Sequence, residues 1–204
     1  MPMNVREQLP TPSNSTNFNI AAGSQTTVGT TLENLKAAVM GETGASAKYA
    51  ACAEAAEAAG YTQIARLFRA TSDAEQIHIR LEAALVKAAE PDYERPVVEA
   101  KTPVTTDLNL IDSAAGEMYE TSDMYPAFIQ KAIEEGDEKA VSVFTRAKLA
   151  ESVHAEVYLE AYNNIDAADD EAYYLCPGCG YIHKGENFET CPICGAPKSA
   201  FKAY

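Results

Sequence analysis

Basic charge, histidine and cysteine are all scarce in this chain, and no stretch of it stays apolar for long. Sixteen Lys and Arg face thirty Asp and Glu, a formal net charge of -14. Clustered positive charge is what nucleic acid or an anionic membrane surface requires, so neither is expected as a partner. No apolar run approaches the roughly 20 residues that cross a bilayer, and residues 1–30 are polar, rich in Ser, Thr and Asn, without a hydrophobic signal region. A cytoplasmic protein is expected. Four of the five cysteines fall in two pairs near the C-terminus, Cys176-Pro-Gly-Cys179 and Cys191-Pro-Ile-Cys194. Without an export signal, such pairs read as metal ligands rather than disulfides. Cys52, alone in an Ala-rich stretch, reads as a small core residue.

What is present is helical patterning. At 204 residues with 47% hydrophobic content the chain can build one sizeable core and a small appendage. Residues 1–30 show no periodicity and are expected to be mobile or draped over a neighbour. Four helices are predicted over about 31–59, 61–90, 106–135 and 137–165, with Gly60, Pro91 and Gly136 as stop signals. Each is about 40 Å long at 1.5 Å per residue. The proline-bearing connection 91–106 can reach about 50 Å when extended, so it can run the height of a bundle. The domain division expected is a polar extension over 1–30, a four-helix bundle over 31–165, an acidic linker over 166–173 and a metal-knuckle unit over 174–204. That last unit is too short to bury a stabilising core and needs its metal to fold.

The helix midpoints carry the chemistry: Gly41-Glu42, Glu75-x-x-His78, Gly116-Glu117-x-x-Glu120 and Glu151-x-x-His154. Residues three apart share a helix face, so each of these helices can point its ligand atoms inward. Carboxylates that can bridge two cations, with an imidazole ending each, suit iron or manganese. One Glu from each of two helices plus Glu-x-x-His from each of two others is the di-iron bundle pattern. A lone Glu-x-x-His is weak, since surface helices carry both residues freely; two matched copies among three histidines are not. The chain also repeats itself, Asn34-Leu35 through Gly41-Glu42 matching Asn109-Leu110 through Gly116-Glu117 at an offset of 75, with Phe68 and Phe144 each seven before a ligand glutamate. The position matching Glu120 is Ala45, so one metal has an extra carboxylate within reach. Gly41 and Gly116 each weaken a helix interior by about 1 kcal/mol relative to Ala, which close helix packing, a role at the site, or both would explain.

These residues resemble the rubrerythrins, a di-iron, peroxide-reducing family with a ferritin-like bundle and a C-terminal rubredoxin-like domain. The resemblance covers about residues 31–204 and includes the run from Phe68 to His78 and Met124-Tyr125-Pro126 after Glu120. It implies that Glu42, Glu75, His78, Glu117, Glu120, Glu151 and His154 bind the di-iron centre, of the Fe-O-Fe type. It further implies that Glu120 holds one iron when oxidised and His78 when reduced, and that Tyr49 and Tyr125 hydrogen-bond the carboxylates; both tyrosines can equally be core aromatics. The four cysteines make a tetrathiolate site, for which zinc is as good a guest as iron on spacing alone. Tyr181, the eleven-residue spacer and the attached bundle resemble rubredoxin and favour iron. His183 reads as an exposed loop residue and not a ligand.

The function expected from this resemblance is reduction of hydrogen peroxide to water, with electrons from an external reductase relayed through the tetrathiolate iron, in a homodimer or higher homo-oligomer. An iron-oxidising or iron-storing protein of the ferritin-like class is the alternative, and a zinc-bearing scaffold a third.

Overall fold

A computed structural model of the chain describes residues 24–204. The extension expected over residues 1–30 therefore lies outside the described residues as far as residue 23. Helix α1 spans Thr31–Ala58 and α2 Thr62–Ala89; α3, Thr106–Tyr119, continues through a π turn at Glu120–Met124 into α4, Tyr125–Glu135; α5 spans Glu138–Asn163. The architecture is a four-helix bundle of two hairpins, α1 with α2 and α3/α4 with α5. Thr30 starts α1 with a capping box, its hydroxyl accepting from the Glu33 amide while the Glu33 carboxylate accepts from the Thr30 amide. Gly136, at φ 73°, ends α4 in the left-handed conformation that glycine adopts freely, and Asp137 caps α5 by accepting from the Ala140 amide at 2.9 Å.

The π turn has two causes legible in the chain. The repeat offset is 75 between Glu42 and Glu117 but 76 between Tyr49 and Tyr125, Phe68 and Phe144, Glu75 and Glu151, and His78 and His154. One residue has thus been added between Glu117 and Tyr125, and a π turn is how a helix absorbs one extra residue. Pro126 follows directly; it has no N–H to donate, and the wide turn before it reduces the clash a proline causes inside a helix. Asp123 in this turn is buried and accepts hydrogen bonds from the Ser24 hydroxyl and, at 2.7 Å, from the Gln25 amide. The last residues before α1 are therefore fastened to the turn that carries Glu120.

Apolar packing flanks a polar middle layer. On one side Tyr49, Phe68 and Tyr158 form an aromatic cluster with centroids 5.3–6.2 Å apart; on the other Tyr125, Phe128 and Phe144 do the same at 5.6–5.8 Å. Strands β1 (Tyr173–Leu175), β2 (Ile182–Lys184) and β3 (Lys202–Ala203) make one antiparallel sheet in the order β2-β1-β3. Tyr173, Leu175 and Ile182 of this small unit are buried within the first bundle cluster. His183 lies on β2 rather than in a loop, its ring 4.5 Å from that of Phe188. Cys52 is in the core, where burial pushes its thiol up to about 11. No helix among the described residues is long and apolar enough to cross a membrane.

Gly41 and Gly116 are not explained by packing within the chain, because a Cβ built on either meets nothing within 4 Å. Gly41→Ala and Gly116→Ala are each expected to raise the free energy of unfolding by about 0.5–1 kcal/mol, read as a higher urea midpoint at unchanged slope. A fall in the midpoint would place a second chain against that face.

Candidate metal centres

Helical register brings the midpoint residues of α1, α2, α3 and α5 to one level, where Glu42, Glu75, His78, Glu117, Glu151 and His154 are all buried. Two groups of four form there, Glu42, Glu75, His78 and Glu151, and Glu75, Glu117, Glu151 and His154, each offering ligand atoms within 4.8 Å of one another. Glu75 and Glu151 belong to both. The Nδ1 of His78 is 3.0 Å from Glu75 Oε2 and 2.7 Å from Glu151 Oε1; the Nδ1 of His154 is 3.6 Å from Glu75 Oε1 and 2.7 Å from Glu151 Oε2. Each shared carboxylate thus turns one oxygen to each imidazole, as a carboxylate bridging two cations must. Glu120 belongs to neither group, although its charge helps raise the pKa of Glu42; His78 occupies the fourth position beside Glu42.

The electrostatics of this layer call for cations. Burial, then the neighbouring carboxylates, push Glu42, Glu75 and Glu120 above the ordinary glutamate value, and Glu117 up to about 8. Burial alone would lower both imidazoles, but Glu151 and the other carboxylates outweigh it and hold them well above their usual value. Glu151 goes the opposite way: burial would raise it, and the two histidines hold it well below. Despite the short approaches, Glu42 Oε2, both oxygens of Glu75 and Glu151, Glu117 Oε2 and both Nδ1 atoms have no hydrogen-bond partner. Buried polar atoms are rarely left so, and these converge on shared points, the arrangement a pair of metal ions satisfies.

Histidine tautomers agree with that reading. His78 Nε2 lies 3.0 Å from the Cys179 carbonyl and His154 Nε2 2.8 Å from the Gly180 carbonyl. A carbonyl only accepts, so each Nε2 carries a proton and each Nδ1 is left facing the carboxylates, where a bound metal ion would take its lone pair in place of a proton. The tyrosines cross between repeats: the Tyr49 hydroxyl donates to Glu117 and the Tyr125 hydroxyl to Glu42. Tyr125 is also 2.9 Å from Glu82 Oε1. Glu82, fully buried, is a residue that the spacing argument passed over, although Glu75, His78 and Glu82 fall at the 0, 3 and 7 positions of a single helix face. Burial pushes its carboxyl up to about 8.

The second centre is built by the two knuckles. Cys176 and Cys194 sulfurs are 3.4 Å apart and those of Cys179 and Cys191 3.5 Å, with all four free and mutually within 4.8 Å. A tetrahedral site with metal–sulfur bonds of ~2.3 Å has edges of about 3.8 Å, so a single ion fits. Gly180, at φ 79°, follows Cys179, and a Cβ there would stand 2.4 Å from His78 Nε2. Only glycine lets this knuckle reach the bundle. Lys202 Nζ, 2.6 Å from Asp73, and the Tyr204 hydroxyl, which donates to the same carboxylate, hold the far edge of the unit on α2.

Removal of metal has a pH signature. Glu42, Glu75, Glu82, Glu117 and Glu120 have raised pKa values, and so do both imidazoles, so the metal-free native state binds more protons than the unfolded chain. The stability they contribute is present below the ordinary glutamate value of 4.5 and is lost as pH rises through about 8. Glu151, held low, contributes stability that is lost only as pH falls. Thermal melts of the chelated protein are expected to show Tm falling from about pH 5 to about pH 8, while the metal-loaded protein holds its Tm across that interval.

Comparison with known proteins points to the same chemistry. The rubrerythrin family model matches residues 33–162, and the model of the rubrerythrin rubredoxin-like domain matches 174–202. Nigerythrin from Nitratidesulfovibrio vulgaris is 67% identical over 202 residues, covering 99% of this chain and 100% of its own. Rubrerythrin-2 from Clostridium acetobutylicum is 34% identical, over 85% of this chain and 96% of its own. A solved structure of nigerythrin in its fully reduced, all-ferrous state superposes with a TM-score of 0.90 at 68% identity, covering 97% of this chain and 98% of that one. The chain belongs to the rubrerythrin family, iron proteins with a di-iron centre in a helical bundle and a rubredoxin-type iron beside it.

Proposed function

We propose that this protein is a non-haem di-iron peroxidase that reduces hydrogen peroxide to water, fed with electrons through the tetrathiolate iron. The observation that carries this reading is the pair of hydrogen bonds from His78 and His154 to the Cys179 and Gly180 carbonyls. They join an electron-carrying site to a two-metal site through one ligand and one knuckle, a connection that iron storage does not need.

Glu42 and His78 would hold one iron and Glu117 and His154 the other, with Glu75 and Glu151 bridging and Glu120 exchanging with His78 as the oxidation state changes. Cys176, Cys179, Cys191 and Cys194 would hold the mononuclear iron. When bound, the iron pair supplies the two electrons that break the O–O bond. The protein's part is to orient and to insulate. Tyr49 and Tyr125 each donate to one terminal carboxylate, keeping it ionised and fixing its rotamer. The knuckle carbonyls hold both imidazoles in the metal-binding tautomer, and the buried aromatic clusters on either side exclude water. An external cytoplasmic reductase supplies the tetrathiolate site, and the assembly is a homodimer or higher homo-oligomer.

Two experiments test this. Rapid mixing of the fully reduced protein with peroxide is expected to oxidise it far faster than dioxygen does; equal rates would sink the peroxidase reading. Gly180→Ala is expected to lift the knuckle from His78 and slow reductase-driven turnover by about tenfold or more. Direct oxidation of the chemically reduced bundle by peroxide should slow less than reductase-driven turnover, and amide exchange at positions 179 and 180 should quicken.

A further inference from the structure

Glu82 breaks the internal repeat. At the offset of 76 that relates α2 to α5 its counterpart is Tyr158, whose hydroxyl pairs with Thr71. Tyr49 therefore packs beside a second tyrosine at 5.4 Å, while its counterpart Tyr125 meets a second carboxyl. The Tyr125 hydroxyl stands between Glu42 Oε1 and Glu82 Oε1, with all three side chains fully buried. A phenol has one proton and cannot donate to two carboxylates. With the iron pair bound, Glu42 is a ligand and ionised, so the second contact is then satisfied only if Glu82 carries a proton and donates it to Tyr125.

We propose that Glu82 is the internal proton source for peroxide reduction, and that it acts through Tyr125 on the Glu42 side of the metal pair only. The inference rests on the peroxidase reading above. Cleavage of the O–O bond consumes two electrons, supplied by the ferrous pair, and two protons, to give two waters. One proton comes from solvent water. For the other, the Tyr125 O–H bond breaks as a new O–H bond forms on a departing peroxide oxygen. The Glu82 O–H bond then breaks to restore the phenol, leaving Glu82 as a carboxylate that solvent reprotonates before the next turnover. Full burial of its carboxyl favours the neutral acid over the carboxylate. Its Oε2, buried without a partner, fits a carboxyl whose other oxygen makes the one directed contact.

The test compares Glu82→Gln and Glu82→Leu with the parent holoprotein. The amide of Gln donates to Tyr125 and preserves its orientation but has no proton to give; Leu removes the contact. In the infrared spectrum of the diferrous protein, the carbonyl stretch of a protonated carboxylic acid is expected in the parent and absent from both variants. In single-turnover mixing with peroxide, both variants are expected to oxidise about 100-fold more slowly, with unchanged iron content and an unchanged visible spectrum of the tetrathiolate site. An acid band that persists in Glu82→Gln, or a Gln variant as fast as the parent, overturns the proposal. Slow oxidation of the parent itself would instead overturn the peroxidase reading, and the infrared band would still report whether Glu82 holds a proton.

Discussion

Six glutamates, five of them fully buried, gathered at or beside one layer of a helical bundle repel one another, and only multivalent cations can offset that repulsion without proton uptake. The rest of the structure is arranged around this constraint. Each of the four long helices carries its ligand residues near its midpoint, so that antiparallel packing brings them to one level. The apolar residues that give the bundle its cohesion are displaced to either side, as two aromatic clusters related by the repeat. An apolar middle layer would be more stable in isolation, because buried charge is retained at an energetic cost. The fold gives up core in that layer and gains a site rigid on all sides.

The histidine–carbonyl hydrogen bonds tie three properties together. They select the tautomer that frees Nδ1, they dock the knuckle unit on the bundle, and they shorten the distance between the two metal sites to a ring and a peptide. The small unit has little core of its own, and its strand residues complete a bundle cluster instead. Loss of the docking would thus be felt at once in packing and in imidazole orientation and, on the proposed relay, in electron delivery. Gly180 is where these demands meet, since any side chain there would occupy the place of His78.

Much of this was legible in the chain. Helix limits followed from Gly60, Pro91 and Gly136, and the midpoint glutamates and histidines from their spacing. What escaped was of two kinds. Contacts made through backbone carbonyls, such as those of Cys179 and Gly180, leave no trace in a side-chain pattern. Glu82 was visible as a residue on the Glu75–His78 face, but a glutamate in a long helix reads as solvated unless burial is known. The π turn lies between these cases: a change of offset from 75 to 76 records it, yet a one-residue shift shows only when both halves of the repeat are compared beyond the first motif. The single chain also brings its own knuckle to its own bundle. The same surfaces would serve if the knuckle came from a partner.

Where the two halves of the repeat differ says most about function. Glu120 stands where the first half has Ala45, Glu82 where the second half has Tyr158, and the added residue of the π turn lies beside Glu120. Glu82 reaches the Glu42 carboxylate through Tyr125, and the charge of Glu120 acts on both Glu42 and Glu117. A duplicated hairpin with no departures would give two equivalent metals. On the proposed peroxidase reading, the O–O bond would be broken by treating its two oxygens differently, with ligand exchange and proton delivery at one end while the other is held. Ser24 and Gln25 fasten Asp123 in the same turn, so the segment that shifts Glu120 out of the regular helical register is itself anchored from outside the bundle. Departure from symmetry here gathers around Glu42, Tyr125 and Glu82, and on that reading this is the end where the chemistry of the pair would begin.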